Sequence, residues 1–462
     1  MKKSPGWLEQ TDKLSKWDYL LFGIVSLFCF VSFAHSDLMV TGNRSWLFYE
    51  SGIRGFYGAS YQWTGSFGAN YMPTTFWLFA LWNYPLKLLG FDMPSHIDVS
   101  NLSYIMWYKL LPALFYIASA YMLFVIARQI GMSKNRARVC MFSFLTMPIA
   151  FFSQFIFSQY DSFTVFFMLA GMYFYLKDKN GKRSWVDHLG FCFSFGMALT
   201  CKYYVILIFA IFVLLDEKRI GRIIADVGLM LVPFFAEYLL YGADSAFQEN
   251  VFGFDALDYA SLTDFATYIG TASFAKVLCV LLAIWAYFHH PKDREEKIRW
   301  VVFLNCGMCF CLFGLMTFHP QWLIFAVPFW VLSAMLSERT EKYYWGNIVL
   351  IAVFYLFVFQ VWRGTVDDVI LQNGIWKYMT AGRSLSVHAV DVLPWIDLNT
   401  LYSIIIAIFL AFFVFSHPRN TRQRIAEDDR EHAWLIRAQL VAAAGFWTLP
   451  CILAVFKDMQ LL

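Results

Sequence analysis

Residues 300–336 read WVVFLNCGMCFCLFGLMTFHPQWLIFAVPFWVLSAML, without a single Asp, Glu, Lys or Arg. A helix needs about 20 residues to cross a bilayer, so the stretch reads as two crossings, Trp300–Phe318 and Trp322–Leu336, hinged at His319-Pro320-Gln321. Similar runs occur at Tyr19–Ala34, Tyr104–Ala127, Val139–Phe157, Phe163–Leu176, Leu189–Thr200, Tyr203–Leu215, Ile223–Tyr241, Ser273–Phe288, Tyr344–Trp362, Leu401–Phe415 and Ala433–Val455. The expectation is an all-α polytopic membrane protein with about 13 transmembrane helices, within a range of roughly 11 to 14.

Composition agrees. Of 462 residues, 59% are hydrophobic, 20% aromatic and only 15% charged, with a mean hydropathy of +0.53. Soluble domains carry about 25% charge, and no soluble core could bury this much apolar surface. A net charge of +3 is too small to indicate a nucleic-acid partner. The 50 Phe, 18 Trp and 25 Tyr suit lipid-facing and interface-anchored helices. All nine cysteines lie inside or at the ends of apolar runs. The Cys306, Cys309 and Cys311 cluster has no His at ligand spacing. Packing residues are therefore expected, not disulfides or zinc ligands. The N-terminus imitates a signal peptide, with Lys2, Lys3, Lys13 and Lys16 before the run that ends in Ser32-Phe33-Ala34, but reads as an uncleaved first span.

Lys and Arg give an orientation. With the N-terminus cytoplasmic, segments 1–17, 128–138, 177–184, 216–222, 289–299, 337–343 and 417–437 face inward and hold 26 of the 36 basic residues. Three long polar segments, 35–103, 242–272 and 363–400, then lie outside. Within the first, Thr74–Gly90 is interrupted by Asn83, Pro85 and Lys87 and reads as short helices on the outer face. Several crossings are only 12 to 14 residues long, among them Phe163–Leu176 and Tyr203–Leu215. Such helices are tolerated where their ends meet a wet cavity instead of lipid.

Four polar groups gather on the outer side in this arrangement: His35-Ser36-Asp37, Asn70-Tyr71-Met72-Pro73-Thr74-Thr75, Phe157-Ser158-Gln159-Tyr160-Asp161-Ser162 and Phe318-His319-Pro320-Gln321-Trp322. An acidic residue after the first helix, a Tyr-Pro-Pro-like turn in the first outer loop, a Gln-Tyr-Asp-like motif and a late His motif, in this order, resemble the GT-C membrane glycosyltransferases. The resemblance covers roughly residues 18–335. Its nearest members are the transferases that use dolichyl-phosphate or bacterial polyprenyl-phosphate sugars. Met72-Pro73-Thr74 departs from the family's Pro-Pro pair, and no acidic neighbour adjoins Asp37, which leaves the sugar open.

The resemblance implies an inverting hexosyl transfer from a polyprenyl-phosphate-linked donor to a glycan or lipid-linked acceptor, on the non-cytoplasmic face. Asp37 is then the general base that takes the acceptor proton. Gln159, Tyr160, Asp161 and Tyr71 are expected to bind substrate, and Asp161 is the rival carboxylate. Lys202, His319 and Arg363 are expected at the donor phosphate, which gains charge as it leaves. Arg44, Arg54 and Arg383 are further outer-face arginines. Residues 1–335 form the catalytic module, including loop 35–103, and 336–462 supply C-terminal transmembrane helices. No cofactor is assigned; a divalent metal is conceivable only at the acidic segment 242–272, with Asp244, Glu249, Asp255, Asp258 and Asp264. No nucleotide-binding loop is found, in keeping with a lipid-linked donor. Compact loops and the absence of a retention signal point to a bacterial cell-surface glycan. A flippase for lipid-linked saccharide and a glycan polymerase or ligase remain alternative readings.

Overall fold

The computed structural model of the chain describes residues 12–65, 68–94, 101–177, 183–253, 264–267, 270–316, 319–362, 366–379, 397–422, 424–425 and 431–459. The architecture is almost wholly helical. Its first half comprises α1 (Lys16–Ser32), α2 (Ser36–Arg44), α3 (Leu47–Thr64), α4 (Pro73–Leu88), α5 (Leu102–Gln129), α6 (Lys134–Thr146), α7 (Pro148–Ile156), α8 (Ser162–Tyr175), α9 (Trp185–Cys201), α10 (Val205–Asp216), α11 (Ile220–Met230) and α12 (Val232–Tyr241). A small antiparallel hairpin follows, with Asp264 opposite Ser273 and Thr267 opposite Gly270. The second half comprises α13 (Phe274–Phe288), α14 (Arg294–Gly314), α15 (Pro320–Leu336), α16 (Thr340–Val361), α17 (Asp367–Gln372), α18 (Leu398–Phe415) and α19 (Ala433–Asp458).

Five helices, α5, α14, α16, α18 and α19, are long and apolar enough to cross a membrane. The number rises to eight if the bent pairs α1–α2, α6–α7 and α11–α12 each count as one span. The exact figure of 13 is not reached by length, because α8, α10, α13 and α15 fall in a shorter class of 10–17 residues. The bends have local causes. Pro148 opens α7 and Pro233 stands in the first turn of α12. Each lacks the N–H that would carry on the preceding helix, so the chain turns by 52° and 47° respectively. Between α1 and α2 the turn is 76°. It sets α2 across the end of α1 instead of in line with it.

Loop 35–103 carries three helices, α2, α3 and α4. A buried polar net holds α2 to its neighbours. Tyr108 of α5 donates to Asn43 Oδ1 at 3.0 Å, and Asn83 of α4 donates to Ser45 Oγ at 2.9 Å. One apolar core extends from Leu14 to Val455, and the C-terminal helices share it. Phe152 and Trp447 meet at 5.2 Å, Gln439 donates to Thr146 at 2.8 Å, and Arg437 pairs with Asp18 near the start of α1. All nine cysteines are buried and unbridged.

Candidate active site

The site assembles where α1 ends. Phe33 and Ala34 leave the helix extended, His35 caps α2, and Asp37 stands in the first turn of α2. Four anchors fix this corner. Lys109, from within α5, donates to the carbonyls of Phe30 and Phe33, which the end of α1 leaves without helical partners. The Ala34 N–H donates to Ile370 O at 3.1 Å, and the His35 N–H donates to Phe157 O at 2.9 Å. The His35 ring stacks on Phe157 at 4.3 Å. Asp37 is thus held on a rigid turn, which a carboxylate needs if it is to meet a substrate in one geometry.

The second strand of the site is the loop Phe157–Asp161. It follows a π-helical turn at Phe152–Ile156, after which Ser158 takes a left-handed conformation with φ 67°. That backbone reversal lets the Gln159 N–H return to Ser153 O at 3.0 Å. Gln159 Nε2 then donates to Asp37 Oδ2 at 3.3 Å. Tyr160 OH accepts from Thr41 of α2 at 3.1 Å, and its ring meets Tyr71 edge-on at 5.6 Å. Asp161 is buried and stands 3.3 Å from Lys202 Nζ. This is an ion pair by distance, without a directed hydrogen bond to either carboxylate oxygen. Lys202 caps the C-terminus of α9, and its ammonium lies over the Tyr71 ring at 4.5 Å and Trp322 at 5.4 Å.

His319 comes from the third direction, at the start of α15, with its ring 4.9 Å from Trp322. Asp37, Lys202 and His319 are near enough to act on one another's charge. Asp37 keeps 44% of its side chain accessible although protein surrounds it, so it faces a recess. Burial raises its acidity constant's pKa, but His35, His319 and Lys202 outweigh that and hold it below the usual carboxylate range. Burial likewise draws Lys202 down, yet Asp161, Tyr71 and Tyr204 prevail and keep it above the usual lysine range. For Asp161 burial prevails over Lys202 and raises the carboxyl. Burial lowers His319, which Asp37 only partly offsets, so its imidazole is neutral near pH 7.

The structure therefore brings together Asp37, Tyr71, Gln159, Tyr160, Asp161, Lys202 and His319. Arg363 and Arg383 lie outside the described residues, as do Asp255 and Asp258. Arg44 is buried at the end of α2 and feels the charges of Tyr160, Tyr71 and Asp37. Two residues were missed as participants. Lys109 sits inside an apolar run, and an ionisable group in such a run is itself a signal. Glu237 of α12 lies under the Tyr71 loop and accepts from Thr74, which also shares a hydrogen bond with Thr200 at 2.8 Å. Asp244 caps the turn that begins at Ser245 by accepting from the Ala246 N–H at 2.8 Å.

A possible metal-ligand group lies elsewhere: His188, Cys192 and Asp226 offer ligand atoms within 4.8 Å of one another. His188 Nε2 is 2.9 Å from Asp226 Oδ1, and Arg183 lies 3.4 Å from its Nδ1. An arginine donor at Nδ1 places the imidazole proton on Nε2, directed at Asp226, which accounts for this carboxylate within an apolar segment without an ion.

Residues 57–232 match the family model described as dolichyl-phosphate-mannose-protein mannosyltransferase, in agreement with the GT-C resemblance. The matched segment, well under half of the chain, includes Tyr71, Gln159, Tyr160, Asp161 and Lys202 but not Asp37 or His319. No curated protein matches at a significant level. Among solved structures, apo ArnT from Cupriavidus metallidurans is similar at 12% identity and a TM-score of 0.48, covering 96% of this chain and 76% of that one. The same protein bound to undecaprenyl phosphate gives 13% identity and a TM-score of 0.49, covering 99% and 78%.

Proposed function

We propose that the protein is an inverting membrane glycosyltransferase. In this reading it moves a hexose from a polyprenyl-phosphate donor to a glycan or lipid-linked acceptor on the non-cytoplasmic face. The observation that carries it is the Asp37 carboxylate: ionised, accessible, oriented by Gln159, and flanked by His319 and Lys202. The match of residues 57–232 to a lipid-phosphate-sugar transferase family supports the donor class.

The step balances as follows. An acceptor hydroxyl oxygen attacks the anomeric carbon, and the bond from that carbon to the phosphate oxygen breaks. The hydroxyl proton passes to Asp37, and the electron pair leaves with the polyprenyl phosphate. A carboxylate of low pKa is a weak base toward a resting alcohol. It suffices as the oxocarbenium-like transition state forms, because the attacking hydroxyl is then far more acidic. Lys202 and His319 face the charge that develops on the leaving phosphate. Tyr71, Gln159, Tyr160 and Asp161 shape the sugar and acceptor pocket. Arg363 is assigned to the donor phosphate on sequence grounds alone. Residues 1–335 carry the chemistry, and the helices beyond brace it. The positive-inside distribution supports a cytoplasmic N-terminus and an outward site, and this reading assigns the protein to a bacterial cell membrane.

The test uses purified full-length protein with a panel of polyprenyl-phosphate hexoses and candidate acceptors, with products read by mass spectrometry. A glycosylated product that Asp37→Asn no longer forms is the expected result. Movement of labelled lipid-linked sugar across vesicles with no new glycosidic bond would replace this reading with the flippase.

A further inference from the structure

At the opposite end of α15 from His319, a recess of about 330 Å³ opens where α15 ends, α16 begins and α18 ends. Arg339, Lys342 and Arg419 line it, with Glu338 as their acidic neighbour. All three cations are exposed. Among the described residues no carboxylate pairs with any of them. Three positive charges against one negative leave the recess a net binder of anions. Its walls are pinned: Ser337 forms a backbone bridge with Thr421, and the Arg422 N–H donates to Leu336 O at 2.9 Å. The cations therefore converge on a preformed space.

The surroundings say what kind of anion fits. Phe415 and Val414 at the end of α18 form the apolar wall, and Lys342 Nζ lies 5.2 Å from the Phe415 ring. One turn further into the bundle's span, Leu410 continues from Val414 along an exposed apolar face, and only 22% of the α18 span is buried in the protein. A cationic recess that opens onto a lipid-facing helix has the form of a headgroup site: phosphate at the cations, acyl chains along the helix. Free phosphate would use the cations and leave the apolar face idle.

We propose that Arg339, Lys342 and Arg419 bind the phosphate of an anionic membrane phospholipid, with its chains laid along Leu410 and Val414. This site is separate from the Asp37 site and does not depend on the glycosyl-transfer reading. The full chain in detergent is titrated with phosphatidylglycerol and, separately, phosphatidylcholine, and retained lipid is counted by native mass spectrometry. Phosphatidylglycerol should be retained in preference. The triple variant Arg339→Gln/Lys342→Gln/Arg419→Gln should lose that preference while its unfolding midpoint without lipid stays as in the wild type. If the triple variant does not purify folded, Lys342→Gln and Arg419→Gln serve singly, each weakening phosphatidylglycerol about fivefold. Equal retention of both lipids, variants that keep the preference, or displacement of the lipid by millimolar inorganic phosphate would each overturn the proposal.

Discussion

Asp37 combines two properties that seldom coincide: it is enclosed by protein, yet its carboxylate meets a recess and stays ionised. If it is the base, Asp37→Asn should lower transfer by about 10²- to 10⁴-fold, measured as product formed per enzyme, with an unchanged elution profile on size exclusion. The pH dependence follows from the same neighbours. With the Asp37 pKa held low, the acid limb of kcat/KM should fall below about 3.9, the ordinary carboxylate value. His35→Gln removes the largest lowering influence, so the carboxyl titrates at higher pH and activity is lost sooner on acidification. An acid limb that does not move would exclude His35 from that role. Lys202→Met tests the buried pair. It strands Asp161 without its cation, at a cost of about 3–5 kcal/mol in thermal or denaturant unfolding, and Lys202→Met with Asp161→Leu should recover much of that. The motifs around Asp37, Gln159 and His319 were legible because short polar clusters stand out between apolar runs. The role of Lys109 was not, because nothing local tells which helix end a lysine in a long apolar run will reach.

The helices carry their own signals, some plainer than others. Proline at 148 and 233 marks where two apolar runs bend, and reading the runs as single crossings overlooked this. The π-turn at Phe152–Ile156 and the left-handed Ser158 leave no sequence mark, since no glycine or proline stands there. Gly42, by contrast, has a packing duty: a Cβ there would come within 2.5 Å of the Tyr108 ring. Tyr108 cannot swing away, because its hydroxyl is bound to Asn43 and Trp46. Gly42→Ala should therefore push α2 from α5, costing about 1–3 kcal/mol of stability. By shifting Asp37 it should lower kcat by as much as about a hundredfold. Circular dichroism melts and initial rates on one preparation would check both; normal rates would show that α2 has slack.

For the molecule as a whole, the class was readable from the apolar runs, whereas the number of crossings was not, because short helices fail any length rule; the uneven spread of Lys and Arg gives an orientation that is still an expectation. Orientation can be measured directly, since the nine native cysteines are buried and should stay silent to a membrane-impermeant maleimide. In sealed right-side-out vesicles, Lys292→Cys should remain unlabelled and Tyr61→Cys should label; the reverse pattern would invert the topology. The short helices beside the site bear on where water can enter. With 14 and 12 residues, α8 and α10 rise only about 21 and 18 Å, against a hydrocarbon layer of about 30 Å. Neither helix shows lipid a continuous face, for α8 has no exposed residue and α10 exposes only Ile206 and Asp216 near its ends, so their shortfall is met by water and polar side chains at the site and not by bending the bilayer. Turnover should accordingly change little as the host acyl chains are lengthened, and a steep decline would show that the short helices meet lipid after all.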